Sequence, residues 1–420
     1  MSINTLISRL FRSFNRRLLG FEESSAGIRL PAPEADRLYL LYLHVPYCVV
    51  LCPFCSFHRV EFERSKTERY FACLRSEIQL MTDAGFNFDE LYVGGGTPTV
   101  LPEELLSTIK LAQDQHPITG VSVETNPDHL RRDNLLRLHD AGVTRLSVGV
   151  QSFDDRLLKE MRRFDEYGSS IEIKRRLRRM QGIFETFNVD MIFNFPHQTE
   201  SSLHRDLDVL IEEIGVDQVS FYPLMTAGAT RKKMFQTMGS VDYSREQSFY
   251  RIIAERMLSA GYTRTSSWCF SRRPGMFDEY IAGREEYVGL GSGSFSYLQG
   301  SLFASTFSIN DYLRLVGDGL TGTARRREMT PRNQMRYYLL MQLFSGALDK
   351  EAAETRFNGR FQRKMWPELA ALRAAGAIHS SANTITLTES GYYLWVLLMR
   401  EFFTGVNNLR DQMRQHQVVR

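Results

Sequence analysis

Between residues 38 and 225, short apolar runs alternate with longer amphipathic stretches, and this alternation restricts the fold more than any other feature. The six short runs are Leu38–His44, Leu91–Val93, Val121–Glu124, Arg145–Val148, Val189–Phe193 and Gln218–Tyr222. The stretches between them show helical periodicity, as in Tyr70, Leu74, Ile78 and Met81. Strands that alternate with helices build a parallel sheet. Six such units predict an α/β fold, an open partial (βα)6 barrel whose chemistry lies at the carboxyl ends of the strands.

Two flanking segments complete the predicted organisation. Residues 2–21 carry an apolar stripe and a basic face, which predicts an amphipathic helix that lies in a membrane interface or packs on the protein itself. Residues 330–400 predict a small helical domain with a strand near 384–388, similar in outline to a winged helix. We therefore expect an N-terminal helix and linker over residues 1–37, a barrel with a substrate-side extension over residues 38–300, and a helical domain over residues 301–420.

Charge and composition exclude several classes of protein. The 420 residues include 52 Lys+Arg and 49 Asp+Glu, so the net charge of +3 lacks the basic excess of a nucleic-acid binder. Five cysteines are too few for a disulfide scaffold of this length. The sequence contains no run of about 18 apolar residues, which a membrane-spanning helix would need. The N-terminus lacks the apolar core of a signal peptide. We expect a cytoplasmic protein that can also contact a membrane through residues 2–21.

Three of the five cysteines lie within eight residues, directly after the first predicted strand. Cys48, Cys52 and Cys55 have the spacing C-x3-C-x2-C. Three thiolates on one loop can ligate three irons of a [4Fe–4S] cluster and leave the fourth iron open. Zinc is the alternative, because His58 or His44 could supply the fourth ligand of a closed tetrahedral site.

A glycine-rich segment follows the second predicted strand, with the sequence Gly94-Gly95-Gly96-Thr97-Pro98-Thr99. Without a Cβ, such a segment lets backbone groups approach the amino and carboxylate groups of a ligand. Alone, it can be a tight turn between a strand and a helix. Next to the cysteine loop, it favours a ligand site.

Seven segments in a fixed order carry a family resemblance: Tyr42–Cys48, Gly94–Thr99, Val123–Pro127, Ser147–Phe153, Val189–Ile192, Pro196–Thr199 and Gly289–Gly291. Through them the sequence resembles the radical SAM superfamily, from about Tyr42 to Tyr297. Within it, the chain is most similar to the HemN-like group. This group includes oxygen-independent coproporphyrinogen III dehydrogenases, haem chaperones of the HemW type and class C methyltransferases.

The resemblance implies a [4Fe–4S] cluster whose open iron binds S-adenosylmethionine (SAM). One-electron reduction then yields a 5′-deoxyadenosyl radical. The HemN-like group is also expected to hold a second SAM molecule. Tyr42 and Glu124 match residues that contact the cluster-bound SAM. The matches to contacts of the second SAM are Gly95, Gly96, Thr97, Gln151, Arg163 and Asp190. Arg163 follows Arg162 directly, and a solvated charged surface is the alternative interpretation of that pair.

Three functions compete within this group. The dehydrogenases typically have a fourth cysteine where this chain has Phe57, and the haem chaperones typically have a His-Asn-x-x-Tyr-Trp segment where it has Phe277–Ile281. The sequence therefore favours a class C methyltransferase that methylates an sp2 carbon of a lipophilic aromatic substrate such as menaquinone. Coproporphyrinogen III oxidation and non-enzymatic haem binding are the alternatives. The family further implies flavodoxin or ferredoxin as the electron donor.

Overall fold

The computed structural model describes residues 20–23, 27–226, 228–273 and 284–417. The amphipathic helix predicted for residues 2–21 lies outside these residues except for its last two positions. The segment Phe277–Ile281 also lies outside them. In the described part of the chain, no helix is both long enough and apolar enough to cross a membrane.

A 13-stranded sheet is the centre of the described structure. Its strands are β1 Glu22–Glu23, β2 Leu38–Val45, β5 Asn87–Gly95, β6 Gly120–Thr125, β7 Arg145–Gln151, β8 Thr186–Phe193, β9 Gln218–Pro223, β10 Thr263–Arg264, β11 Cys269–Ser271, β12 Tyr287–Leu290, β13 Phe295–Leu298, β14 Ser301–Ser305 and β15 Thr323–Glu328. They are paired in the order β1-β15-β14-β13-β12-β2-β5-β6-β7-β8-β9-β11-β10. The six strands β2 and β5 to β9 pair in parallel. They coincide with the six predicted runs, which confirms the partial (βα)6 barrel.

Helices connect these strands and pack on the sheet. They are Arg64–Asp83, Pro102–Gln115, Arg132–Asp140, Asp155–Glu160, Phe164–Tyr167, Ser170–Leu177, Glu200–Asp208, Gly228–Met238, Glu246–Ser259, Ile309–Gly317, Pro331–Phe344, Lys350–Arg356, Phe361–Ala374 and Glu389–Gln417, with short 3-10 turns at Pro98–Val100, Pro127–His129 and Arg178–Met180 and a π-helical stretch at Val209–Ile214. The helix Arg64–Asp83 buries Tyr70, Leu74, Ile78 and Met81, the residues whose spacing predicts it.

The sheet continues beyond the barrel. β12 adds to β2 in parallel, and β13, β14 and β15 follow as antiparallel strands up to Glu328. The expected boundary at residue 300 thus falls in the turn between two paired strands, and we propose to place it after Glu328. The buried Glu77 carboxylate fixes this extension, because it accepts hydrogen bonds from the N–H groups of Gly291 (2.8 Å) and Gly322 (2.7 Å) and from the Tyr312 hydroxyl (2.8 Å).

The C-terminal region is mainly helical, as expected. It carries a small sheet of β16 Ala347–Asp349, β18 Thr384–Leu387 and β17 Ile378–Ser380, next to the helices already given. A separate pair, β3 Tyr47–Cys48 and β4 Val60–Glu61, frames the cysteine loop. We call Glu389–Gln417 the C-terminal helix; it packs on the helix Pro331–Phe344, where the Trp395 indole N–H donates to the Leu340 carbonyl at 2.9 Å.

Candidate functional site

The three clustered cysteines lie on a loop at the carboxyl end of the first barrel strand. Cys48 and Cys52 are buried and Cys55 is half-buried, and none of the three is in a disulfide. The Arg59 guanidinium donates to the carbonyls of Cys52 and Cys55, the latter at 2.7 Å, and so closes the loop. The backbone N–H of Phe62 returns to the Cys48 carbonyl at 2.9 Å. The sequence around the cysteines thus folds into a tight loop that holds three thiols on one side of the barrel mouth.

Two polar side chains point at the sulfurs of this loop. The Thr97 hydroxyl donates to Cys48 Sγ at 3.5 Å, and the Arg163 guanidinium donates to Cys52 Sγ at 3.6 Å. Burial raises the pKa of the Cys48 thiol to about 12, so its thiolate needs a metal partner to form at neutral pH. Soft thiolates that accept hydrogen bonds are the environment in which proteins hold iron–sulfur clusters and tune their potentials. The residues present therefore fit a [4Fe–4S] cluster.

The two histidines considered as a fourth zinc ligand are engaged elsewhere. His44 Nδ1 lies 2.9 Å from the Tyr42 hydroxyl, and its Nε2 lies 3.0 Å from the His58 carbonyl. His58 Nε2 lies 3.0 Å from the Ser292 hydroxyl. Because the ring nitrogens of His44 and His58 are engaged in these hydrogen bonds, the cluster is favoured over the zinc alternative.

The same contacts orient Tyr42 at the barrel mouth. A carbonyl oxygen can only accept, so His44 carries its proton on Nε2 and donates it to the His58 carbonyl. His44 Nδ1 then accepts from the Tyr42 hydroxyl. The Tyr42 ring lies 5.9 Å from the ring of Tyr92, its neighbour on β5. His44 therefore positions Tyr42, a predicted SAM contact. From the sequence, His44 was considered only as a zinc ligand.

The glycine-rich segment brings β5 against the cysteine loop. A Cβ on Gly96 would lie 2.7 Å from the backbone of Pro46 and Tyr47, and one on Gly94 would lie 2.8 Å from the Glu124 carboxylate. The N–H of Gly96 donates to the Val45 carbonyl and that of Thr97 to the Tyr47 carbonyl, both at 2.8 Å. The sequence predicts that backbone groups of this segment contact a ligand. In the structure, these two N–H groups donate to carbonyl groups of the protein itself. Glycine is needed here because only a bare backbone fits this approach.

Two half-buried carboxylates face the barrel interior from β6 and β8. Glu124 accepts from the Tyr92 hydroxyl at 2.9 Å, and Asp190 accepts from the Ser147 hydroxyl and the Asn188 amide, both at 2.8 Å. Burial raises the pKa of both groups, and the nearby Asp190 charge raises the pKa of Glu124 further. We propose that they accept hydrogen bonds from the amino or hydroxyl groups of SAM.

Arg163 is buried, with 4% of its surface exposed, so the interpretation as a solvated surface charge is wrong. Its guanidinium donates to Asn126 Oδ1 at 2.9 Å and to the Gly149 carbonyl, and lies 4.1 Å from the Tyr167 ring centre. The Nε atom is buried without a hydrogen-bond partner among the described residues. A buried donor without a partner costs about 1–3 kcal/mol, and we propose that a SAM carboxylate is its acceptor.

Asn126, to which the sequence alone assigned no role, links three parts of the site. Its amide donates to the Thr97 hydroxyl at 2.8 Å, and its carbonyl oxygen accepts from Arg163. Thr97 and Arg163 are the two residues that donate to cysteine sulfurs. The signal was present, because Asn126 lies in the matched segment Val123–Pro127.

We expect the substitution Arg163→Lys to make the reduction potential of the cluster more negative. Lysine keeps the charge but cannot reach Cys52 Sγ and Asn126 at once, so a donor to a ligating sulfur is lost. An EPR-monitored redox titration of the reconstituted protein measures the shift. Arg162→Lys is the matched control, since Arg162 is exposed. An unchanged potential in Arg163→Lys would contradict the role of Arg163 as a positioning residue.

Gln151 lies at a strained position at the end of β7. Its φ of 78° is in the left-handed region, and the register with β8 shifts between Gly149 and Gln151. Asp206 holds the turn that follows, because it accepts from the Ser152 hydroxyl at 2.9 Å and from the Phe153 N–H at 2.8 Å. We propose that Gln151 contacts the second SAM. The Asp206 carboxyl group would then support this contact, because it holds the turn that follows Gln151.

Asp206 gives the folded chain a pH-dependent stability. Burial raises its pKa from 3.8 to about 7. The unfolded chain therefore ionises first as the pH rises, and stability falls from about pH 4 to about pH 7, by about 4 kcal/mol. Asp206→Asn cannot ionise and should show less of this loss in urea unfolding at about pH 5 and about pH 8. Glu200→Gln, at an exposed position at the start of the same helix, should behave like the unsubstituted protein; equal pH slopes in all three proteins would refute the assignment.

Aromatic side chains also line the mouth. This aromatic mouth consists of Tyr42, Tyr92, Tyr222, Trp268, Phe295 and Phe403. The Trp268 ring lies 5.2 Å from Tyr222 and 5.8 Å from Phe403 of the C-terminal helix. Arg410 of the same helix lies over the rings of Phe57 (5.6 Å) and Phe295 (5.5 Å). The C-terminal helix therefore covers the carboxyl end of the barrel and brings a guanidinium to its rim.

Comparisons with known proteins agree with this geometry. Residues 42–210 match the family model described as the radical SAM superfamily. A haem chaperone HemW from Bacillus subtilis is 26% identical over 84% of this chain and 96% of its own length. An oxygen-independent coproporphyrinogen III oxidase from Pseudomonas aeruginosa is 26% identical over 84% of this chain and 83% of its own length.

A solved structure has the same fold over nearly the whole chain. Coproporphyrinogen III oxidase (HemN) from Escherichia coli superposes with a TM-score of 0.75 at 21% identity, covering 91% of this chain and 95% of the other. HemN-like radical SAM proteins use a [4Fe–4S] cluster and SAM, as predicted from the sequence. With the cysteine loop, the glycine-rich segment and the partial barrel in place, the chain matches the radical SAM superfamily over residues 42–210 and has the fold of HemN.

Proposed function

We propose that this protein is a radical SAM enzyme that holds two SAM molecules at the barrel mouth and acts on a conjugated ring beneath the C-terminal helix. The observation that carries the proposal is that polar groups and aromatic side chains meet at the mouth. The polar groups are the cysteine loop, the glycine-rich segment and the carboxylates of Glu124 and Asp190. The aromatic mouth lies against them, since the Tyr92 hydroxyl donates to Glu124. Polar cofactors and an apolar ring would thus meet at one place.

When bound, the cluster and SAM supply one-electron chemistry that abstracts a hydrogen atom. The chain's residues bind, orient and exclude water. In this proposal Tyr42 and Glu124 contact the SAM molecule at the cluster, while Asp190 and the free Nε of Arg163 hold polar groups of the second. The aromatic mouth, together with the C-terminal helix, keeps solvent away from the reacting atoms.

A tetrapyrrole is the first candidate substrate. The relatives described above are named for haem and for coproporphyrinogen III, and both similarities extend over 84% of this chain. Both molecules combine a large conjugated or reduced ring system with carboxylate side chains. Arg410 lies against Phe57 and Phe295 at the rim, and an arginine beside aromatic rings suits a ring that carries carboxylates.

C-methylation of a lipophilic aromatic ring such as menaquinone becomes the second candidate. It was the first choice from the sequence, but the relatives described above are not named as methyltransferases. The apolar character of the aromatic mouth still favours a lipophilic ring. The residues matched to the second SAM, among them Gln151 and Asp190, also favour it, because this chemistry consumes both SAM molecules.

An anaerobic assay with methyl-deuterated SAM separates these candidates. The reconstituted protein and a reductant are incubated separately with coproporphyrinogen III, haem and menaquinone, and products are followed by mass spectrometry. We expect 5′-deoxyadenosine to form together with a changed tetrapyrrole. Loss of carboxyl carbon from coproporphyrinogen would establish oxidative decarboxylation.

Two other results would replace this assignment. A deuterated methylene group gained by menaquinone, with S-adenosylhomocysteine as a second product, would establish the methyltransferase. Stoichiometric haem binding without 5′-deoxyadenosine would instead indicate a haem chaperone. If SAM were cleaved and none of the three compounds changed, the tetrapyrrole proposal would be wrong.

A further inference from the structure

The helix Gly228–Met238 presents an exposed basic surface. Arg231, Lys232 and Lys233 are all exposed, and Phe235 on the same helix exposes 60% of its surface. The helix sequence contains no acidic residue. Within the described chain, none of the three cations is in an ion pair. Three adjacent solvated cations are therefore available to an acidic partner.

This helix begins next to the cysteine loop. The Ser56 hydroxyl, one residue after Cys55, lies 3.4 Å from the Thr230 hydroxyl and 3.5 Å from the Met225 carbonyl. Phe54 packs edge-on against Phe195, with ring centres 5.9 Å apart. The basic helix and the loop that would carry the cluster are thus neighbours on one face.

A second basic segment borders the same face. Gly239 follows the helix Gly228–Met238 and lies beside His197, and His197 Nδ1 lies 2.9 Å from the Glu160 carboxylate. Lys159 and Arg162, on either side of Glu160, are exposed. Arg163, which follows Arg162, reaches Cys52 Sγ. Two basic segments therefore flank the cysteine loop, although the exposed Asp165 and the half-buried Glu160 reduce the charge of the second.

The cysteine loop supplies an apolar centre between these segments. Val49 exposes 45% of its surface and Phe57 exposes 47%. On this face, five exposed cations outnumber the carboxylates of Glu160 and Asp165. Cationic residues around an apolar centre are what a weak, electrostatically steered redox complex requires.

We propose that this face, which we call the cationic face, is the docking surface for a small acidic electron-carrier protein. The inference rests on the proposed radical SAM function. In the complex, the reduced carrier loses one electron and the [4Fe–4S] cluster gains it; no covalent bond forms and no proton is required. Only an electron carrier must come close to the cluster to act. The position of the cationic face beside the cysteine loop therefore favours this partner over a nucleic acid or a membrane.

The test uses the full chain with its cluster reconstituted, and reduced flavodoxin as the probe. Bleaching of the cluster absorbance is followed by anaerobic stopped flow in the charge-reversal variant Arg231→Glu/Lys232→Glu/Lys233→Glu. We expect its rate with flavodoxin to fall by about tenfold or more. The rate with dithionite, a small reductant, should not change. The rate of the unsubstituted protein should also fall as ionic strength rises from about 0.01 to about 0.15 M.

A matched variant controls for the change in net charge. Arg360→Glu/Arg363→Glu/Lys364→Glu reverses three exposed cations at the start of the helix Phe361–Ala374, and it should keep at least half of the flavodoxin rate. An unchanged rate in the first variant, or an equal loss with dithionite, would overturn the proposal. So would loss of binding to anionic vesicles or to RNA with the flavodoxin rate intact. Failure of the proposed function gives a different result, because a protein without a reducible cluster would show no bleaching with dithionite either.

Discussion

Replacing Cys52 with alanine is expected to abolish the iron–sulfur cluster and all reductive cleavage of SAM. Cys52 is one of three thiols on a loop of eight residues, and its sulfur accepts a hydrogen bond from Arg163. Two remaining thiolates cannot hold a cluster that needs three. Iron and sulfide analysis after anaerobic reconstitution should fall from about four of each per chain to near zero. The 5′-deoxyadenosine product should disappear with them.

Cys73→Ala provides the matched control. Cys73 is half-buried in the helix Arg64–Asp83, outside the cysteine loop, so the variant should retain iron, sulfide and SAM cleavage. Zinc content, measured in the same samples, addresses the alternative metal. A Cys52→Ala protein that still held iron and cleaved SAM would refute the assignment of the loop. So would an unsubstituted protein that took up zinc in place of iron.

Replacing Arg400 with methionine is expected to destabilise the fold by about 3–5 kcal/mol. Arg400 Nη1 lies 2.6 Å from each carboxylate oxygen of Glu246, which is fully buried, and Nη2 lies 2.9 Å from Glu401. Without the guanidinium, two carboxylates stay buried near each other and lack their cation. Urea unfolding at neutral pH measures the loss. Because Arg400 lies on the C-terminal helix, that helix should separate from the barrel first.

A double substitution tests whether the buried charge is the cause. Glu246→Gln combined with Arg400→Met removes one of the two uncompensated carboxylates, so it should be more stable than Arg400→Met alone. Arg373→Met is the control, because this arginine is exposed on the helix Phe361–Ala374, and its effect should stay within about 0.5 kcal/mol. A loss below about 1 kcal/mol in Arg400→Met would contradict the explanation.

The barrel and the cluster ligands could be predicted because their signals are local in the sequence. Each barrel strand is an apolar run with a helix after it, and the three cysteines lie in one short loop. Arg163 is different. Next to Arg162 it reads as part of a charged surface, yet it is buried because Arg162 adopts a φ of 57° and turns the chain inwards. A backbone conformation of this kind leaves no mark in composition or spacing.

The covering of the mouth could not be predicted for another reason. Arg410 and Phe403 reach the barrel from the far end of the chain, and they contact Phe295 and Trp268 through tertiary packing alone. The apolar residues of the C-terminal helix indicate that it is buried, but not what it is buried against. The boundary that we propose after Glu328 has a related cause, since β14 and β15 join the sheet of the barrel only through their pairing.

The N-terminal strand determines where an attached group would emerge. Glu22 pairs with Arg326 at the edge of the sheet, and the Phe21 ring lies 6.2 Å from Phe295 at the rim of the mouth. A purification tag or fluorophore joined directly to Phe21, in place of the residues before it, would therefore lie beside the rim of the aromatic mouth, the proposed substrate entrance. A fluorophore placed there would respond to occupancy of the mouth, whereas a bulky fusion would obstruct it. Labels intended to be silent belong on the exposed side of the helix Phe361–Ala374, where Trp366 already faces solvent.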